Sequence, residues 1–428
     1  MLLVYTHKIT PRVTYIFKHV CTRVMGIKVS FTSKVEDFIA HDGPKLSYTQ
    51  KQLGNELHIS AVDLLFEQGV MDVDIQLQDW DGVPCFFASK SSEALVPYDI
   101  FGAAFYMLSR YEEYLPHVKD ALGRFPASES IAYKHHFLDR PVVDEWISRF
   151  KEAIRSSFPS DKIKELQFET QVVVDVPQAY AFRKIGFLRT VGGYGRDFIN
   201  FRLKQNFIRT QVLLGLRKDP FDIFSWLVNV QKQSSSRFKV FFELGDYTED
   251  SKNIKYSKRS FQSLIKMVGD YSCVGLLVSK KGAKSITELK EEKRRIEYIT
   301  NRPLKQTRIT DYKITLPTSY RNLLDQEILE DYTMGYPDTP GFRASTSTPF
   351  LFYDLDYEIQ TPLMIYPFCI HVNAIIDENK HTVDSVSLTK IKNAVKNVKG
   401  VFLIAFSNSD FTNIYSKKVF RTLLTTDE

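Results

Sequence analysis

Asp175 closes a strand-like run of β-branched residues, Val172-Val173-Val174-Asp175-Val176-Pro177. A carboxylate at the C-terminal end of a buried strand stands where α/β enzymes place a base or a cation ligand. Its plainer role is to end the strand or cap the next element. Arg343 lies in a loop crowded with glycine, proline and hydroxyls, Pro340-Gly341-Phe342-Arg343-Ala344-Ser345-Thr346-Ser347. A guanidinium there can clamp a carboxylate, Asp175 included, or a ligand oxygen. The glycines of Val191-Gly192-Gly193-Tyr194-Gly195-Arg196 lack the strand-turn-helix setting and the Lys-Ser/Thr ending of a phosphate loop. The adjacent His135 and His136 point apart on any regular element and make a poor chelate. The four cysteines are far apart with no CxxC, so buried free thiols are expected rather than a zinc or redox motif.

The elements that would hold these residues are set by periodicity. In the first part, strands are expected over 2–6, 27–32, 45–49, 56–60, 73–76 and 84–88. Helices are expected after Thr10-Pro11 and from Asp99 to about Leu115, where Arg110 and Glu113 sit at i,i+3. A helix over 150–158, then Pro159-Ser160-Asp161, reads as a domain boundary. Beyond it, strand-like stretches at 171–176, 238–243, 273–278, 307–309, 331–334, 363–366 and 401–406 alternate with helical ones. That alternation predicts an α/β architecture: an N-terminal α/β domain over 1–165 and a (β/α) barrel over 166–428.

The chain has 428 residues, 43% apolar and 25% charged, the composition of a globular protein of two domains. A net charge of +6 is too mild to imply nucleic acid. The charge is uneven, because residues 181–239 hold twelve Lys or Arg and three Asp. That stretch reads either as a solvated face or lid, or as a surface for acidic glycan, nucleotide sugar or anionic lipid. The polar N-terminus and the lack of a long apolar run predict a cytoplasmic protein without an integral membrane segment.

The chain resembles the polysaccharide deacetylase family, carbohydrate esterase family four, in a bacterial two-domain branch. The resemblance rests on Leu108 to Leu115, Gly123-Arg124-Phe125, Pro141 to Trp146, Ala179-Tyr180 and Gly186-Phe187-Leu188-Arg189-Thr190. It continues in Asp219-Pro220-Phe221-Asp222, Leu244-Gly245-Asp246-Tyr247, Leu316-Pro317, Asp331 to Tyr336 and Pro340 to Pro349. It implies a deformed (β/α) barrel that removes acetyl groups from glycans. A divalent metal on one Asp and two His would activate the water, with a second Asp as base, a His as acid and an Arg orienting the base. The base falls on Asp175 and its orienting arginine on Arg343.

The remaining motif positions depart. Pro177 stands for the metal-binding Asp, Leu277 for the first His, and Thr310 for the second; Phe406-Ser407-Asn408 replaces the segment that carries the acid. No histidine lies between His136 and His371. His371 is the one substitute ligand near an apolar strand, and His381 lies in a polar turn. The resemblance therefore implies a non-catalytic relative, without a cofactor, that binds glycan or a partner in cell-envelope polysaccharide metabolism. Its ligand contacts would come from Tyr180, Arg308, Asp311, Tyr336 and Ser347. The alternative is an active hydrolase of acetylated glycans, with a metal-free or altered site around Asp175, Arg343 and His371. Peripheral membrane or protein contact through 181–239 is a third expectation.

Overall fold

The structure is a computed structural model. It describes all residues except 90, 92–93, 159–162, 235–237, 249–250, 378–381 and 426–428. His381 and the expected 159–161 boundary lie outside the described residues.

Strands β1 (Leu2–Tyr5), β2 (Val29–Thr32), β3 (Lys45–Thr49) and β4 (Leu57–Ser60) form a parallel sheet in the order β2-β1-β3-β4. Helix α1 (Pro11–Phe17) starts where Thr10 accepts the Val13 N–H at 3.1 Å, with proline at its first position. It carries Val13, Tyr15, Ile16 and Phe17 into the core. Helix α2 (Val35–Ala40) covers the sheet's far side. The strand expected over 73–76 does not form. Instead β5 (Gln78–Trp80) and β6 (Val83–Cys85) make an antiparallel hairpin. Asp81 and Gly82 between them both take positive φ, the Asp-Gly turn that matches strand twist.

Helix α3 (Ile100–Leu108), capped by Asp99, stops short of the expected Leu115. The cause is Arg110, whose φ of 56° turns the backbone left-handed and ends the helix. Helices α4 (Ile131–Lys134) and α5 (Val142–Ser157) come next.

The second sheet begins at β7 (Glu169–Val176). It continues with β8 (Lys239–Glu243), β9 (Cys273–Val278), β10 (Gln306–Ile309), β11 (Glu330–Asp331), β12 (Phe350–Asp354), β13 (Ile359–Ile365) and β14 (Ile370–His371). A small hairpin, β15 (Ile376–Asp377) and β16 (Thr382–Val383), precedes β17 (Val401–Ser407). The nine described strands of this sheet run β12-β13-β11-β10-β9-β8-β7-β17-β14, parallel except for β12 against β13. These pairings leave β12 and β14 as edges and do not show the ring closure of a barrel. Helices α6 (Phe187–Ile199), α7 (Leu203–Leu213), α8 (Phe224–Gln233), α9 (Arg259–Gly269), α10 (Ile286–Thr300), α11 (Thr318–Asp325), α12 (Ser385–Asn397) and α13 (Ile414–Thr425) join or flank the strands.

Successive residues of a strand face opposite ways, and β7 shows why its run is apolar throughout. Val172, Val174 and Val176 enter the main core, which is continuous with that of the first sheet. Val173 enters a smaller cluster with Phe241, Leu277, Tyr332, Phe368, Leu403 and Ala405. Asp175 alternates onto the same face as Val173. No helix among the described residues is long and apolar enough to cross a membrane.

Candidate functional site

Asp175 sits at the end of β7, between Phe241 of β8 and Ser407 of β17, and is 4% exposed. Both carboxylate oxygens are engaged. Arg308 Nε lies 2.7 Å from Oδ1, an ion pair whose N–H is not aligned as a hydrogen bond. Tyr312 donates its hydroxyl to Oδ2 at 3.1 Å. Burial raises the carboxyl above its ordinary range, against the opposing pull of Arg308 and Tyr312.

Arg308 is fully buried. It donates from Nη1 to the Tyr332 carbonyl, and its guanidinium stands 5.2 Å from the Tyr312 ring and 5.1 Å from that of Phe368. Tyr312 reaches the carboxylate because it and Asp311 both take a φ of 58° just after β10. Positive φ is uncommon for non-glycine residues and gathers at functional sites.

The expected partner of Asp175 was Arg343, and the structure corrects this. Arg343 grips Glu113 instead, from Nε at 2.8 Å and from Nη2 at 2.7 Å. Arg110 holds the same Glu113 from Nε at 2.8 Å. The reason is the left-handed turn at Arg110, which carries Glu113 to the loop around Arg343. The Arg110–Glu113 pair, expected from its i,i+3 spacing, is thus buried with an arginine from the other half of the chain. Burial alone would raise Glu113, but Arg343 and Arg110 pull it down to about 2.

The other expected residues scatter. Tyr336 lies 5.6 Å from the Arg343 guanidinium, and its buried hydroxyl has no hydrogen-bond partner among the described residues. Asp311 pairs with Lys280 at 2.9 Å on the half-exposed rim. Ser347 donates to Asp144 at 2.8 Å, a structural tie between the two parts of the chain. Tyr180 packs on Phe224 at 6.3 Å and accepts from Lys184 at 3.3 Å. Of the glycine cluster only Gly193 has a packing role, since a Cβ there would lie 2.0 Å from Arg209 Nη1, whereas Gly192 and Gly195 have open space around them.

The residues present do not fit the divalent metal that the family resemblance implies. Pro177 offers no donor, Leu277 is buried in the apolar cluster, and Thr310 donates to Glu243 at 3.3 Å. His371 faces Asp410, with Nε2 3.9 Å from Oδ2. Burial and the Arg308 charge push its imidazole down to about 3. Among the described residues no three or more His, Cys, Asp or Glu side chains converge.

Tyr312 also lines a cleft of about 390 Å³ between the segment 120–133, which ends in α4, and the 335–343 loop. Phe125, Tyr133, Tyr336 and Arg343 face it as well. Arg124 crosses the cleft's rim from Asp120 at 2.6 Å to Asp338 at 2.8 Å, so its charge is neutralised. Sequence reasoning missed Tyr312, whose signal was its place directly after Asp311 at a strand end.

Residues 2–159 match a family of unknown function, DUF7033, over less than half of the chain. No curated protein matches the sequence. Among solved structures, the chain is similar to a CE4 family pseudoenzyme from Bacillus anthracis, with 9% identity over 60% of each chain and a TM-score of 0.31. A mutant CE4 family pseudoenzyme with restored enzymatic activity gives 9% identity over 60% of this chain and 63% of that one, at 0.31. A candidate polysaccharide deacetylase from Mycobacterium smegmatis gives 11% over 61% and 90%, at 0.37. The chain thus spans about 60% of the pseudoenzyme's length.

Proposed function

We propose that this is a polysaccharide-deacetylase-like protein that binds a glycan of the cell envelope without hydrolysing it. Its parts are an N-terminal α/β domain over 1–165 and an opened (β/α) barrel over 166–428. The observation that carries the reading is the state of Asp175, with one oxygen on Arg308 and the other on Tyr312. A base must be free to take a proton from water within hydrogen-bond reach, and this one is masked on both sides.

Curvature of the sheet supports the barrel reading. Strands β7 and β10 are separated by β8 and β9, about 14 Å apart if flat at the usual strand spacing. Yet Arg308 of β10 reaches Asp175 of β7, and β7, β9 and β17 share one apolar cluster. The glycan reading rests on the aromatic cleft in front of Tyr312. Its guanidinium groups are neutralised by Glu113, Asp120 and Asp338, which suits a neutral sugar that stacks on rings. The alternative hydrolase around Asp175, Arg343 and His371 finds less support, because Arg343 belongs to the cleft wall with Glu113.

The test is calorimetric titration with N-acetylated oligosaccharides, alongside an assay for released acetate with zinc, cobalt or no metal. Binding without acetate release is expected. Tyr133→Ala should weaken binding by loss of stacking on an exposed ring. Acetate release that stops in Asp175→Asn would overturn the reading.

A further inference from the structure

Helices α6 and α7 form a hairpin whose polarity is the reverse of that expected in water. Its inside is polar. Asp197 and Arg209, both buried, form an ion pair between the helices, and Tyr194 bonds Thr210 side chain to side chain at 2.7 Å. Asn206 donates to the Tyr194 carbonyl at 3.3 Å, and Gly193 leaves the space that the Arg209 guanidinium fills. Its outside is apolar. Eleven large apolar side chains between residues 187 and 216 are exposed, of twenty-eight in the described residues, and Phe201 at the turn is 90% exposed.

These side chains are organised. At about 100° per residue, Phe187, Leu188, Val191, Phe198 and Ile199 share an arc of about 120° on α6, all exposed. Leu203, Phe207 and Leu214 recur at i, i+4 and i+11 along and just past α7, exposed as well. A monomer in water rarely shows an apolar surface of this extent, and one rimmed by polar groups marks a partner or a membrane.

Charge decides between those. Residues 183–218 contain nine Lys and Arg and one acid, Asp197, in a chain whose whole net charge is +6. The rest of the molecule is therefore slightly acidic. The one acid is buried against Arg209, whereas Arg183, Lys184, Arg196, Arg202, Lys204, Arg217 and Lys218 are exposed. Exposed phenyl and leucyl groups flanked by cations that form no ion pair among the described residues are the composition of an interfacial helix that lies in an anionic bilayer surface.

We propose that the α6–α7 hairpin is a membrane-docking element. Phe187, Leu188, Phe198, Phe201, Leu203 and Phe207 enter the acyl boundary of an anionic leaflet while the surrounding arginines and lysines meet lipid phosphates. The hairpin begins at Phe187, soon after β7 ends at Val176, and between them Asn408 of the loop after β17 ties the Gln178 carbonyl at 2.9 Å. The hairpin therefore follows the end of β7 that carries Asp175. The proposal does not depend on the glycan reading.

The experiment is co-sedimentation of the full chain with vesicles of phosphatidylcholine alone or mixed with phosphatidylglycerol, at low and high salt. The chain is expected to pellet with the mixed vesicles, less so at high salt, and to stay in the supernatant with phosphatidylcholine. The triple variant Phe198→Ser, Phe201→Ser, Phe207→Ser should lose pelleting while keeping its circular dichroism and melting point. A separate Phe201→Trp variant should show a blue-shifted tryptophan emission on adding the mixed vesicles. The proposal is overturned if the unaltered chain does not pellet with them, or if the triple variant pellets equally well. It is also overturned if the triple variant merely converts a dimer to a monomer by sedimentation velocity, which would assign the face to a second copy.

Discussion

At the scale of single residues, Asp175 and Arg308 form a buried ion pair at the strand ends. Its energetics differ from those of a surface ion pair, because Arg308 is 0% exposed and Asp175 4%. Removing one member of such a pair leaves an uncompensated buried charge and costs about 3 to 5 kcal/mol, whereas replacing both with apolar groups is often tolerated. Asp175→Asn should therefore lower stability by about that amount in urea titration, and adding Arg308→Met should recover much of the loss. A loss below about 1 kcal/mol in the single variant would mean the pair behaves as an exposed one. Asp175 stood out in the sequence as a carboxylate at the end of an apolar run, and Arg308 only as an expected ligand contact in a short strand. Their pairing did not, because it depends on how far the sheet curls between β7 and β10, and curvature leaves no residue-level signature. Arg343 looked the better partner by loop composition alone. It was Glu113, brought round by the left-handed Arg110, that captured it.

Among the elements, the end of β8 and the face of α10 carry two buried carboxyls. Glu243 accepts from Ser251 and Thr310, and Glu292 accepts from Ser279 through its hydroxyl and its backbone N–H. Burial pushes Glu243 up to about 7, and burial with some repulsion from Glu243 pushes Glu292 up to about 7. A carboxyl raised in the folded state is held in its neutral form. Its contribution to stability is complete below the ordinary 4.5 and is lost as pH rises toward about 7. The loss amounts to roughly 3 kcal/mol for each group over that window. Urea midpoints should fall between these pH values in the unaltered chain, and Glu243→Gln should flatten the fall; equal slopes in both would refute the assignment. Most strands here were visible in the sequence: Cys273–Val278 and Lys45–Thr49 form as their alternation and β-branching predict. The short strands β5, β14, β15 and β16 were not, nor were two larger features. The antiparallel β12 hid in the hydroxyl-rich stretch before it. The α6–α7 hairpin, read as a basic stretch without a fold, breaks the rule that apolar faces turn inward.

Over the whole molecule, the two sheets are joined by charges that each half supplies to the other. Arg12 near the N-terminus is fully buried against Glu358. Asp144 of α5 accepts from Thr346 at 2.7 Å and from the Ser347 N–H at 2.7 Å. Glu113 stands between Arg110 and Arg343, pairing with both behind the cleft wall that Arg343 lines. It is 4% exposed on its side chain, so solvent screens it little. Because its carboxyl is pulled down to about 2, its contribution is present above the ordinary 4.5 and is lost as pH falls toward about 2. Glu113→Gln leaves two buried guanidinium groups without that partner. At neutral pH it should lower stability by about 3 to 5 kcal/mol, the cost of breaking a buried pair. As pH falls below 4.5 the gap between the variant and the unaltered chain should narrow, since acid does to Glu113 what the substitution has already done. The measurement is the urea midpoint of both proteins from neutral to acid pH. A gap that stays constant into acid would show that Glu113 is not ionised at the junction, leaving Arg12–Glu358 and Asp144 with Thr346 and Ser347 as its polar ties.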